Sequence, residues 1–81
     1  MESKHTKLTR REQQVIALAA QDLSDKMTAD VLGCSRRTIT KHWESIFRKT
    51  GTHSRCGAVT MFLAACLNGE VEKLLGDISK S

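Results

Sequence analysis

Two residues, Gly33 and Cys34, are all that separate the end of one helical pattern from the start of the next. Before them, Ser24 can cap a helix with Asp25 in its first turn and Met27, Ala29, Val31 and Leu32 as its apolar contacts. Gly33 tolerates the left-handed backbone that stops a helix. After them, Ser35 can cap a helix running from Arg36 to about Thr50, ended by Gly51. With so short a connection the two helices must meet at a sharp angle, which is the spacing of a helix-turn-helix.

The flanking segments are also helical in pattern. Thr9-Arg10-Arg11-Glu12 has the Thr-x-x-Glu form of a capping box, where a hydroxyl and a carboxylate each satisfy an orphaned backbone donor. A helix over about 10–21 follows, with Val15, Ile16, Ala19 and Leu23 on its apolar side and Gln13, Gln14, Ala17 and Gln21 on the other. Ser54 can cap a fourth helix, about 55–67, that is apolar around most of its circumference. A domain this small can cover only one side of such a helix, so self-association is expected. Residues 1–7 are read as a flexible polar arm, 8–75 as the domain with a short helical turn at Glu70–Leu75, and 76–81 as a polar tail. Eighty-one residues suffice for one compact unit. The absence of proline and tyrosine, with Trp43, Phe47 and Phe62 as the sole aromatics, favours an all-α fold over a β-sandwich.

Charge adds the first indication of function. The net charge is +4, yet Arg36, Arg37, Lys41, Arg48, Lys49 and Arg55 crowd into residues 36–55 against Glu44 alone. A localised basic surface of this kind suits a polyanion such as nucleic acid. The helix that carries it is amphipathic: Ile39, Trp43, Ile46 and Phe47 form one stripe, while Arg37, Thr40, Lys41, Glu44, Ser45 and Arg48 lie opposite. A helix fits the major groove of B-form DNA, and residues near its N-terminal half usually meet the bases. Lys41 can donate to guanine, Glu44 can accept from cytosine, and Thr40 can touch a thymine methyl. Arg36, Arg37 and Thr38 are placed to hold phosphate, with Lys26, Ser45, Arg48, Lys49 and Arg55 as further phosphate candidates. Six to eight such contacts are expected to make affinity fall by roughly three decades or more between low and moderate salt.

Leu8-Thr9-x-Arg11-Glu12, Val15-Ile16, Leu23-Ser24-x-Lys26, Ala29, Leu32, Ser35-x-x-Thr38-Ile39, His42, Ile46, Lys49, Gly51, Ser54-Arg55 and Ala58 together resemble the LuxR/GerE family of helix-turn-helix domains. The register runs without gaps over about residues 8–67. The resemblance implies a four-helix domain whose third helix enters the major groove and whose fourth helix pairs with its copy in a two-fold homodimer on a palindromic site. Val59, Met61, Phe62, Leu63, Cys66 and Leu67 are the residues expected at that dimer interface. It also implies base contacts from Thr40, Lys41 and Glu44, phosphate contacts from Lys26, Thr38 and their neighbours, and a packing or phosphate role for His42. Asp22 stands where the family usually has Gly and would have to take a left-handed conformation. Thr28 and Thr50 occupy positions that are normally aliphatic, and Thr40 and Glu44 are less basic than in many relatives.

The expected function is therefore a sequence-specific, double-stranded-DNA-binding transcriptional regulator of the bacterial cytoplasm, associated with the nucleoid, with RNA polymerase as a further candidate partner. Two alternatives share its features. One is a promoter-binding domain like region four of a sigma factor, which has the same Leu-Thr-x-Arg-Glu opening but no reason for the long apolar fourth helix. The other is a protein-interaction module that pairs with another regulator and titrates it away. An enzyme is not expected, because no spacing joins a nucleophile, a base and an orienting group, and so small a fold has no deep pocket. Cys34, Cys56 and Cys66 lack a disulfide framework, and Cys34 and Cys66 suit the role of small apolar side chains. His53 and Cys56 have metal-like spacing without a Cys-x-x-Cys knuckle, so neither metal nor cofactor is expected. No membrane contact or small-molecule ligand is expected either.

Overall fold

The computed structural model of the protein describes residues 8–65 and 70–79. They form five helices: α1 (Arg10–Ala20), α2 (Asp25–Leu32), α3 (Arg36–Thr50), α4 (Arg55–Ala65) and α5 (Glu70–Ser79). No strand occurs among the described residues. The helix boundaries follow from local chemistry. The Thr9 hydroxyl accepts from the Glu12 amide at 3.1 Å, and the Glu12 carboxylate accepts from the Thr9 amide at 2.9 Å, closing the expected capping box. Ser24 and Ser35 accept from the Met27 and Thr38 amides, each at 3.2 Å, and Ser54 accepts from the Gly57 amide at 3.1 Å. Gly33 and Gly51 end α2 and α3 at φ of +71° and +75°, a region that costs glycine nothing.

α1 is the central rod, packed by all four other helices. Val15, Ile16 and Ala17 of α1, Ile39 and Ile46 of α3, and Ala58 of α4 are fully buried. Each buried Val or Ile side chain contributes about 1.5–3 kcal/mol through removal of apolar surface from water. Trp43 and Phe62 complete the core, and Phe47 packs against it with its ring tilted 36° to that of Trp43 at 5.6 Å between centroids.

Three sequence expectations are corrected here. The segment after Asn68-Gly69 is a helix of ten residues rather than a short turn, so the boundary placed at residue 76 falls inside α5. Its Leu74 is buried in the core, and its Asp77 forms an ion pair with Arg10. Arg10, Gln14 and Ala17 share one stripe of α1, so α5 lies along the side of α1 that the glutamines had marked as polar. Gln14 and Ala17 are accordingly buried. Phe62, expected at a dimer interface, belongs to the core because it shares the inner stripe of α4 with Ala58. Cys66 and Leu67, also expected at that interface, lie outside the described residues.

Candidate nucleic-acid interface

Burial of Ile39, Trp43, Ile46 and Thr50 fixes the rotation of α3 about its own axis. The opposite stripe is then set by geometry: Arg37, Lys41, Glu44 and Arg48 recur at spacings of four, three and four, and all are exposed, with Arg36 and Thr40 beside them. Among the described residues, none of these charged side chains takes part in an ion pair. The Glu44 carboxylate, which could have been occupied by Arg48 one turn on, is free of it. Lys26, near the start of α2, is likewise exposed and unpaired.

The N-terminus of α3 adds donors. The Thr38 amide is taken by the Ser35 hydroxyl, and the Ile39 amide by the Ser35 carbonyl. The two hydroxyls of Ser35 and Thr38 lie 3.1 Å apart, within hydrogen-bond distance of each other. The amides of Arg36 and Arg37, in the first turn, have no intrahelical acceptor and face outward with the positive end of the helix dipole.

Three residues read from sequence as phosphate contacts interact with carboxylates within the domain. The Lys49 ammonium donates to Glu12 Oε1 at 2.8 Å, tying α3 to α1. Glu12 is only 4% exposed. Burial pushes its carboxyl pKa up, but bonds from Lys49, the Ser45 hydroxyl and the Thr9 amide more than offset this, so it lies below the ordinary glutamate value. Arg55, at the start of α4, donates from both terminal nitrogens to Asp25 of α2 at 2.5 and 2.8 Å. Its guanidinium carbon stands 4.9 Å from the centroid of the Trp43 ring. The Arg55 bonds hold the Asp25 carboxyl below its usual range, with help from the charges of Arg55 and Arg36 and against some desolvation.

The ion pairs escaped the sequence reading, although a signal existed. Lys49 lies three residues after Ile46, and Arg55 shares a stripe with Ala58 and Phe62, so both begin on the inward flank of their helices.

Residues 6–62 match the family profile of bacterial regulatory proteins, luxR family, also called GerE. The chain belongs to the LuxR family. Its match extends through the capping box, the helix-turn-helix and most of α4, and α5 lies beyond it. Two curated relatives are similar. The nitrate/nitrite response regulator protein NarP of Escherichia coli is 41% identical over 56 residues, covering 69% of this chain and 26% of NarP. The transcriptional activator protein LuxR of Aliivibrio fischeri is 34% identical over 65 residues, covering 80% of this chain and 25% of LuxR. The chain thus spans about a quarter of the length of these relatives. No solved structure matches at comparable significance. This LuxR-family unit is a DNA-binding domain of a transcription regulator, and the family is not an enzyme class. No helix among the described residues is long and apolar enough to cross a membrane.

Among the described residues, α4 leaves a second surface uncovered. Cys56, Thr60, Leu63 and Ala64 lie on the side away from Ala58 and Phe62 and are exposed, while Val59 is half-buried at its edge and Met61 is exposed on the other flank.

Proposed function

We propose that this domain binds a palindromic operator as a homodimer, with α3 of each copy in the major groove. The observation that carries the reading is the stripe of Arg37, Lys41, Glu44 and Arg48, exposed and in no ion pair among the described residues, on a helix whose opposite side is the domain core. An α-helix with its side chains is about 10–12 Å across and the groove about 12 Å wide, so α3 can enter as a rod.

Thr40, Lys41 and Glu44 read base edges: the Lys41 ammonium donates to guanine O6 or N7, and the free Glu44 carboxylate accepts from a cytosine N4 amine. Lys26, Arg36, Arg37, Thr38 and Arg48 hold phosphates and set the orientation of α3. Lys49 and Arg55 are assigned instead to positioning α3 and α4 against α1 and α2, because their cationic groups already bond Glu12 and Asp25, and Ser45 joins them through its influence on the Glu12 carboxyl.

The dimer contact is assigned to the exposed stripe of α4 around Cys56, Thr60 and Leu63. Two copies of an isologous patch bury apolar surface that one domain cannot cover. RNA polymerase is a further partner under this reading.

Selection of duplexes from a random pool tests the proposal. The expected product is an inverted repeat with half-site centres about one helical turn apart. Leu63→Glu should leave the fold intact by circular dichroism and reduce binding to the paired site to that of a single half-site. A pool that yields no enriched sequence, or an asymmetric site bound equally well by Leu63→Glu, would refute it.

A further inference from the structure

One of the side chains on the groove-facing side of α3 is already committed to its own backbone. The Thr40 hydroxyl donates to the carbonyl oxygen of Arg36, one turn earlier, at 3.2 Å. A threonine Cβ carries only a hydroxyl, a methyl and a hydrogen at staggered positions. With the Oγ1 proton committed to the helix, the Cγ2 methyl and the oxygen lone pairs are what this exposed side chain has left to offer a ligand, and it can no longer donate to a base acceptor such as thymine O4.

The neighbours sharpen the contrast. Lys41 offers a donor and Glu44 an acceptor, neither in an ion pair among the described residues, whereas Thr40 has no proton left to donate to a base without first breaking a bond it already has. Among major-groove features of the four bases, the one apolar group is the 5-methyl of thymine. The geometry points to Thr40 as the residue that demands thymine at one position of each half-site, choosing it by its methyl group rather than by its O4 acceptor. The inference rests on the proposed placement of α3 in the major groove and adds to it the chemical feature read at one position.

The test begins with the duplex selected from a random pool by the unaltered protein, in which each thymine is replaced in turn by deoxyuridine. That exchange removes one methyl and leaves every hydrogen-bonding group in place. At one thymine per half-site, affinity should drop roughly four-fold, the effect of one methyl returned to water. Thr40→Val keeps a methyl and loses the hydroxyl, so its sensitivity to deoxyuridine at that position should persist. Thr40→Ser keeps the hydroxyl and loses the methyl, so its sensitivity should vanish.

The outcomes separate the two levels. If no duplex is enriched, sequence-specific DNA binding fails and the Thr40 inference fails with it. If a site is enriched but contains no methyl-sensitive thymine, the Thr40 inference alone is overturned. It is overturned in the same way if the sensitivity is kept in Thr40→Ser and lost in Thr40→Val, or is equal in both. Circular dichroism of the two variants should match the parent, since the position is exposed.

Discussion

Arg55 holds Asp25 with both prongs of its guanidinium while standing over the ring of Trp43, so one side chain of α4 touches α2 and α3 at once. The two helices of the helix-turn-helix are thereby clamped from the side opposite their short connection. An arginine suits this place because its planar fork matches a carboxylate and its face stacks on an aromatic ring.

Replacing the fork with a point charge tests the clamp. Arg55→Lys keeps the formal charge but forfeits the second hydrogen bond and most of the stacking. Arg55 is partly exposed, so solvent screens the pair and the expected loss is about 1 kcal/mol. A domain of this size should then melt about 4–8 °C lower. Thermal denaturation checks this, and an unchanged melting temperature would show that the clamp adds nothing to stability.

The depressed pKa values of Glu12 and Asp25 set a pH dependence with a definite sign. Each carboxyl binds its proton less readily in the folded state than in the unfolded chain. The stability they contribute is complete above the unfolded carboxylate values and is lost as pH falls through the lowered folded values. Acid below about pH 4 should therefore destabilise the domain progressively. Denaturant titrations from acid to neutral pH should show the fall, and Glu12→Gln combined with Asp25→Asn should flatten it while lowering stability at neutral pH.

Asp22 takes the left-handed conformation at φ +66°, the lone non-glycine residue with positive φ among those described. Its amide still bonds the Ala19 carbonyl at 2.9 Å, closing the end of α1. A side chain in this region is strained by about 1–2 kcal/mol, against which glycine loses some backbone entropy on folding. Asp22→Gly should raise stability by about 0.5–1 kcal/mol without touching DNA binding, as a melting curve and a binding isotherm on the selected site can establish.

The legible parts of this chain were those written in local chemistry. The caps at Thr9, Ser24, Ser35 and Ser54 and the stops at Gly33 and Gly51 depend on residues within a turn of one another, and the sequence displays them directly. The strain at Asp22 was legible for the same reason. α5 was not, because Gln14 looks like part of a solvated face until a later helix lies along that side of α1. The ion pairs of Lys49 and Arg55 were not legible because a cation's partner can lie far along the chain: Glu12 is 37 residues away and Asp25 is 30. Thr50, at a normally aliphatic position, is buried without penalty because its hydroxyl donates to the Ile46 carbonyl at 2.8 Å.

The division between cations that meet DNA and cations that brace the fold has a measurable signature. A lysine or arginine on a phosphate releases condensed counterions, so its removal lowers the slope of log affinity against log salt by about 0.9 for each phosphate left unneutralised. Lys26→Ala and Arg37→Ala should each show this reduction and weaken all sequences alike, because phosphates carry no base identity. Lys49→Ala should leave the slope unchanged and instead lower the melting temperature, since it abandons the buried Glu12 carboxylate at a cost of about 2 kcal/mol. Lys41→Ala belongs to neither group: it should relax the preference at one base position by roughly 1–3 kcal/mol of discrimination. Salt titrations on the selected site and on a scrambled duplex distinguish these outcomes. A slope change in Lys49→Ala equal to that in Lys26→Ala would mean that the bond to Glu12 gives way on DNA and that Lys49 turns outward to a phosphate.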